Sequence, residues 1–157
     1  MKPLSENRRA KFDYEILEHI EAGIELFGHE VKSVKAGHGN LAGAYVVIRG
    51  GSPRRSSGVA KAGEAFLINC QIPPYQQGNV PDDYDPSRTR RLLLHSAEIK
   101  ELSGRLKEKG LSLVALSFTA KKNLVKVELG LGKSRKSHDK REVLKKRAVQ
   151  REIERGE

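Results

Sequence analysis

The stretch DPSRTRRLLLH, residues 85–95, sets three guanidinium groups, Arg88, Arg90 and Arg91, within four positions. A guanidinium forks onto phosphate or carboxylate oxygens and stacks on flat bases. Pro86 stiffens the approach to the cluster, so fewer conformations are lost when it binds. On a strand, Arg88 and Arg90 share one face and Arg91 takes the other. Two readings are open: a phosphate-binding edge, which the tight spacing favours, and a solvated basic edge that discourages strand aggregation.

Catalytic chemistry is thin. Five histidines, His19, His29, His38, His95 and His138, are dispersed, and none stands in HExxH or a comparable ligand spacing. There is no GxSxG, P-loop or GxGxxG pattern. The single cysteine, Cys70, lies between Ile68 and Ile72, as a small buried hydrophobe would. Asp82, Asp83 and Asp85 sit beside Pro81 and Pro86 and read as turn formers rather than Mg²⁺ ligands. Glu21 points outward from a half-buried strand. There it is a solvent-face carboxylate or an acceptor for a base or a ribose 2′-hydroxyl. We expect no enzyme, no metal and no cofactor.

The charge points to a polyanion. Among 157 residues, 30 Lys+Arg face 20 Asp+Glu, a formal net charge of +10. Nucleic acid is the first candidate partner and a membrane surface the second. The start, MKPLSENRRAKF, lacks the apolar core of a signal peptide. No apolar run reaches bilayer length, and one cysteine allows no intramolecular disulfide. The chain reads as a cytoplasmic monomer with no membrane partner.

These groups need elements to position them. Residues 1–11 are polar and read as a flexible N-terminus, ahead of a body at 12–132. From Ile20, apolar Ile20, Ala22, Ile24 and Leu26 alternate with Glu21, Gly23 and Glu25, the period of a strand. Val31 and Val34 set a short helix from about Glu30 to Ala36, with Gly37 as its stop. AYVVIRGG and EAFLINCQI are strands flanking an extended Gly/Ser-rich loop at 50–63. Ser96 is placed to cap a helix to about Lys109, with Ile99, Leu102 and Leu106 as its apolar stripe. LSLVALSF and LVKVELGL form a hairpin about residues 121–123, where Asn123 tolerates positive φ.

Residues 133–157 carry ten Lys/Arg and five Asp/Glu and cannot bury a core of their own. Most are good helix formers, so the tail is expected to be disordered when free and helical on a charged partner. The sum is mainly β: a small OB-like antiparallel barrel of about six strands, two or three peripheral helices and a basic tail.

FDYEI, EAGIEL, GHEVKSVKAG, NLAGAYV, DPSRTRRLLLH, KEKGLSLVAL, VKVELGLGK and HDKRE follow one another in order. Together they resemble the small protein B family, the SsrA-binding proteins of bacteria, over about residues 7–155. The resemblance implies an OB-like barrel that binds the tRNA-like domain of transfer-messenger RNA. It implies delivery of that RNA to stalled ribosomes for trans-translation, which tags the peptide and rescues the ribosome. It implies no catalysis. Glu21, Leu93 and His95 match the family's RNA surface, though the family often has Asn at the last. Lys32, Lys35 and Asn40 fall in the matching helix and turn, and Arg88, Arg90 and Arg91 in the matching basic segment. The tail, through Lys133, Arg135, Lys136, His138, Asp139, Lys140, Arg141, Lys145, Lys146 and Arg147, resembles one that reaches the decoding centre and fills the empty mRNA channel. Ser134 stands where the family commonly has Gly. Elongation factor Tu is a further candidate partner. The alternative is a general OB-like RNA-binding or ribosome-associated protein without that specificity.

Overall fold

The computed structural model describes residues 3–50, 63–76, 78, 80–108, 110–135 and 137–154, the side chains of 137–139 and 143 excepted. Its frame is a hairpin of two eleven-residue strands, β6 (Leu111–Lys121) and β7 (Leu124–Ser134). Lys122 and Asn123 turn it with φ of 51° and 66°, the mirror-image turn that matches strand twist. Along β7, Val125, Val127, Leu129 and Leu131 are buried and alternate with Lys126 and Glu128, as the period of two requires.

β2 (Tyr14–Ile24) pairs antiparallel with the other edge of β7. It passes through Gly23 and Ile24 to β5 (Arg90–Leu93), and β5 pairs with β4 (Glu64–Ile68). β4 pairs with β3 (Tyr45–Arg49), which returns to β6 where Tyr45 faces Val114. Six antiparallel strands thus close into a ring. The two-residue β1 (Ser5–Glu6) covers a further part of the β6 edge. Closure leaves little free edge for a stray strand to join.

Two bulges turn the long strands from one core to another. In β2 the register shifts between Ile16 and Glu18, and in β6 between Ala115 and Ser117. On β6, Leu113, Ala115 and Phe118 face into the ring, while Val114 and Leu116 pack under α1 (Arg8–Asp13). A bulge resets side-chain parity in this way. It also explains why β2 starts at Tyr14 rather than near Ile20: Tyr14 and Ile16 serve the outer cluster, and Ile20 and Ala22 the ring. β7 runs so close to β2 there that a Cβ on Gly132 would meet the Glu15 carbonyl oxygen at 2.6 Å.

α2 (Gly28–Lys35) buries Val34, and α3 (Ser96–Leu106) buries Ile99 and Leu102. α3 is capped from His95, one residue before the expected Ser96: the His95 amide donates to Glu98 Oε1 at 3.2 Å. It ends at Leu106 rather than Lys109, with Gly110 at φ 84° beyond it.

Two further expectations are corrected. The N-terminus is docked, because the Asn7 side chain is buried and donates to the carbonyls of Leu41 (2.7 Å) and Ala115 (2.9 Å). The tail does not begin at 133, since Lys133 and Ser134 complete β7. It continues as a helix, α4 (Ser137–Glu154). Most of the 50–63 loop and Lys136 lie outside the described residues.

Candidate nucleic-acid interface

The arginine cluster splits by strand parity. Along β5, Arg90 and Leu92 are buried and Arg91 and Leu93 exposed. Arg90 therefore does not belong to the surface. Its guanidinium is fully buried and donates to Glu30 Oε2 from Nε (2.9 Å) and Nη2 (2.7 Å). It also donates to the carbonyls of Cys70, Arg88 and Pro86. Arg88, mostly buried, closes a second fork on Glu30. The Tyr84 hydroxyl lies 2.9 Å from the same carboxylate and 2.8 Å from the Ile72 carbonyl.

Glu30 sits in the first turn of α2, where it also accepts from the Phe27 amide at 2.7 Å. Burial alone would raise its pKa. Hydrogen bonds from Arg88, the Phe27 amide and Arg90, with the charge of Arg90, outweigh that and hold it at about 2. Two guanidinium groups and one carboxylate thus tie α2 to the segment entering β5. The sequence offered a signal for this. Arg90 shares parity with Leu92, so it had to point inward, and an inward guanidinium needs a buried carboxylate.

The outward residues gather. Arg91, Leu93 and His95 line a cleft of about 380 Å³ together with Glu21 and Lys126. Glu21 comes from β2, Lys126 from β7, and His95 from the start of α3. Leu93 is 50% exposed. Arg91 is held loosely, 3.6 Å from Glu25 and 3.5 Å from Glu64, all three half exposed. Lys126 was not anticipated, although its alternation with Val125 and Val127 already put it outside.

Glu21 pairs across strands with Glu128, where two carboxylates would repel. Each has a partner of its own. Lys121 lies 4.0 Å from Glu21, and Glu128 is held by His19 Nδ1 (2.6 Å) and Ser117 Oγ (3.1 Å). The His19–Glu128–Ser117 row is not a nucleophile site, because the carboxylate is its middle member and no imidazole accepts the hydroxyl proton.

The remaining expected residues lie elsewhere. Lys32 and Lys35 are on the exposed face of α2. Asn40 bridges Gln71 through its backbone and accepts from the Ala42 amide. None of the three lines the cleft. In the tail, the Arg135 amide donates to the Asp13 carbonyl at 2.8 Å, and Lys140 pairs with Asp13 at 3.1 Å. Lys140 and Arg147 both lie over the Phe12 ring, at 5.9 and 5.8 Å from its centroid. Lys133, Arg141, Lys145, Lys146 and Arg147 are exposed. His138 and Asp139 fall in α4, their side chains outside the described set.

Among the described residues no three His, Cys, Asp or Glu side chains form a metal site. Asp85 accepts from the Ser87 amide, as a turn former does. Burial pushes the Cys70 thiol up to about 12, so it stays protonated and unreactive. A larger cavity, about 730 Å³, opens between α1, β3, α3 and β6 and is lined by none of Glu21, Arg91, Leu93, His95 and Lys126. Among the described residues no helix is long and apolar enough to cross a membrane.

Comparison with known proteins agrees with this geometry. Residues 4–157 match the family model described as SmpB protein. The chain is 47% identical over 156 residues to the SsrA-binding protein of Synechococcus elongatus, covering 99% of this chain and 94% of that one. The SsrA-binding protein of Synechocystis sp. is also 47% identical, with the same coverage. A solved structure described as "tmRNA-SmpB: a journey to the center of the bacterial ribosome" contains a chain 41% identical to this one. It superposes with a TM-score of 0.65 and covers 84% of each chain.

Proposed function

This chain belongs to the SmpB family of SsrA-binding proteins, and on that premise we propose that it is a non-enzymatic RNA-binding adaptor. Its body binds the tRNA-like domain of transfer-messenger RNA and delivers that RNA to stalled ribosomes for trans-translation. The observation that carries the reading is the convergence of Glu21, Arg91, Leu93 and His95 from three elements on one cleft of a strongly basic protein.

Each group has a chemical task there. The ion pairs of Arg91 are long and solvated, worth about 0–1 kcal/mol, so its guanidinium can exchange them for phosphate. The carboxylate of Glu21 accepts from a ribose 2′-hydroxyl or a base amine. The half-exposed Leu93 offers an apolar contact to a sugar or base. The exposed cations of α4 supply a separate phosphate-seeking surface, suited to a channel lined by RNA. We assign that surface to the empty mRNA channel.

The test is RNA affinity of Glu21→Ala and Leu93→Ala, with thermal unfolding as control. Both side chains are exposed, so stability should hold while affinity for the tRNA-like domain falls. Unchanged affinity in both variants would remove the cleft from the interface.

A further inference from the structure

Phe27 breaks a local rule. It is the N-cap of α2, where Ser, Thr, Asp or Asn would satisfy a free amide and Phe satisfies none. It is also 53% exposed, in a chain with only 5% aromatic residues. A half-exposed aromatic where the local preference is for a small polar residue marks a place where function is the better explanation.

Its surroundings fix it. The Arg88 guanidinium carbon stacks 4.1 Å from the ring centroid, and Arg88 is itself held by its fork on Glu30. The His29 ring lies 5.8 Å away, tilted by 38°, and meets Tyr84 edge-on at 4.6 Å. The Phe27 amide is bound to Glu30 and its carbonyl accepts from Val31. One face of the ring is backed by a rigid cation, and the residue remains half open to solvent. The position continues the cleft edge: Arg88 donates to the Glu25 carbonyl at 3.4 Å, and the Glu25 amide donates to the Arg91 carbonyl at 3.0 Å.

We propose that Phe27 is a preorganised stacking platform for an unpaired nucleobase of the RNA bound at the neighbouring cleft. Stacking on an aromatic face suits any base, because every base has a π-face. Immobilising the ring beforehand lowers the entropy lost on binding. The inference rests on the RNA-adaptor reading and adds a contact to it.

The chain has no tryptophan, so Phe27→Trp carries a unique emission signal. Adding the tRNA-like domain RNA to Phe27→Trp should quench that emission and leave affinity near the parent value. Phe27→Leu keeps an apolar side chain but removes the π-face, and should weaken binding by about 5- to 100-fold. Thermal unfolding of Phe27→Leu checks that α2 is intact. If Phe27→Leu binds as the parent does while Glu21→Ala is weakened, the platform is wrong and the adaptor reading stands. If the parent itself fails to bind the RNA, both fall.

Discussion

Replacing Glu30 with Ala tests the division of the arginines into an inner and an outer set. The substitution leaves the Arg90 guanidinium, fully buried, and that of Arg88, mostly buried, without their counter-ion. Removing one member of a buried ion pair costs about 3–5 kcal/mol, because the remaining charge cannot be solvated. For a domain of this size each kcal/mol lowers Tm by about 2–4 °C, so a drop on the order of 10 °C is expected. Arg90→Ala should fall in the same range, since it removes one of the two guanidinium partners of buried Glu30 and takes a donor from three carbonyls. Arg91→Ala should cost under about 1 kcal/mol, because its partners are solvated. It should instead weaken RNA binding and reduce the salt slope by about one. Urea midpoints and RNA titrations at several salt concentrations read out both halves. If Arg90→Ala keeps its midpoint and loses the salt slope, the assignment of inside and outside is wrong.

Glu30 also sets an acid limit. Its folded pKa of about 2 lies below the ordinary 4.5. The stability it contributes is therefore complete above about pH 4.5 and lost as pH falls through about 2. The shift corresponds to about 3 kcal/mol, so the stability gap between the parent and Glu30→Gln should narrow by roughly that much from pH 6 to pH 2. A constant gap across that window would refute the linkage. Asn7→Ala should cost on the order of 3 kcal/mol in a urea titration, because the Leu41 and Ala115 carbonyls each lose a donor and the Ala10 amide loses its acceptor; a change under about 1 kcal/mol would return the N-terminus to a passive role. A chain ending at Ser134 should keep its affinity for isolated RNA and lose ribosome rescue, and loss of RNA affinity would contradict the separation of body and tail. Asp13→Asn removes the partner of Lys140, so it should raise amide exchange along 137–154 with little change in Tm.

Periodicity made the ring legible. The alternation in β7 and the positive-φ propensity of Asn123 located the turn of the long hairpin, while β6 and β7 each run three residues past their apolar runs, to Lys121 and Ser134. Parity also placed Glu21 outside and separated Arg91 from Arg88 and Arg90, but parity alone did not say which of those two faces was inward. It failed at bulges: Leu17 in β2 and Leu116 in β6 reset the count, hiding the first half of β2. Asn7 looked like one polar residue in a loose segment, because the carbonyls it satisfies lie 34 and 108 positions away. The Arg90–Glu30 pair spans 60 positions, and no local pattern connects them. The convergence of Glu21, Arg91, Leu93, His95 and Lys126 is likewise tertiary; chemistry and resemblance named four of the five, and topology supplied Lys126.

The central claim is recognition of one folded RNA rather than attraction to phosphate. The direct measurement is competition for the purified chain at near-physiological salt. Labelled tRNA-like domain of transfer-messenger RNA is challenged by an ordinary tRNA and by an unstructured RNA of equal length. The account predicts that neither competitor displaces the labelled RNA at concentrations where the unlabelled tRNA-like domain does. Equal displacement by all three would show that net charge alone drives binding, and would contradict the adaptor assignment.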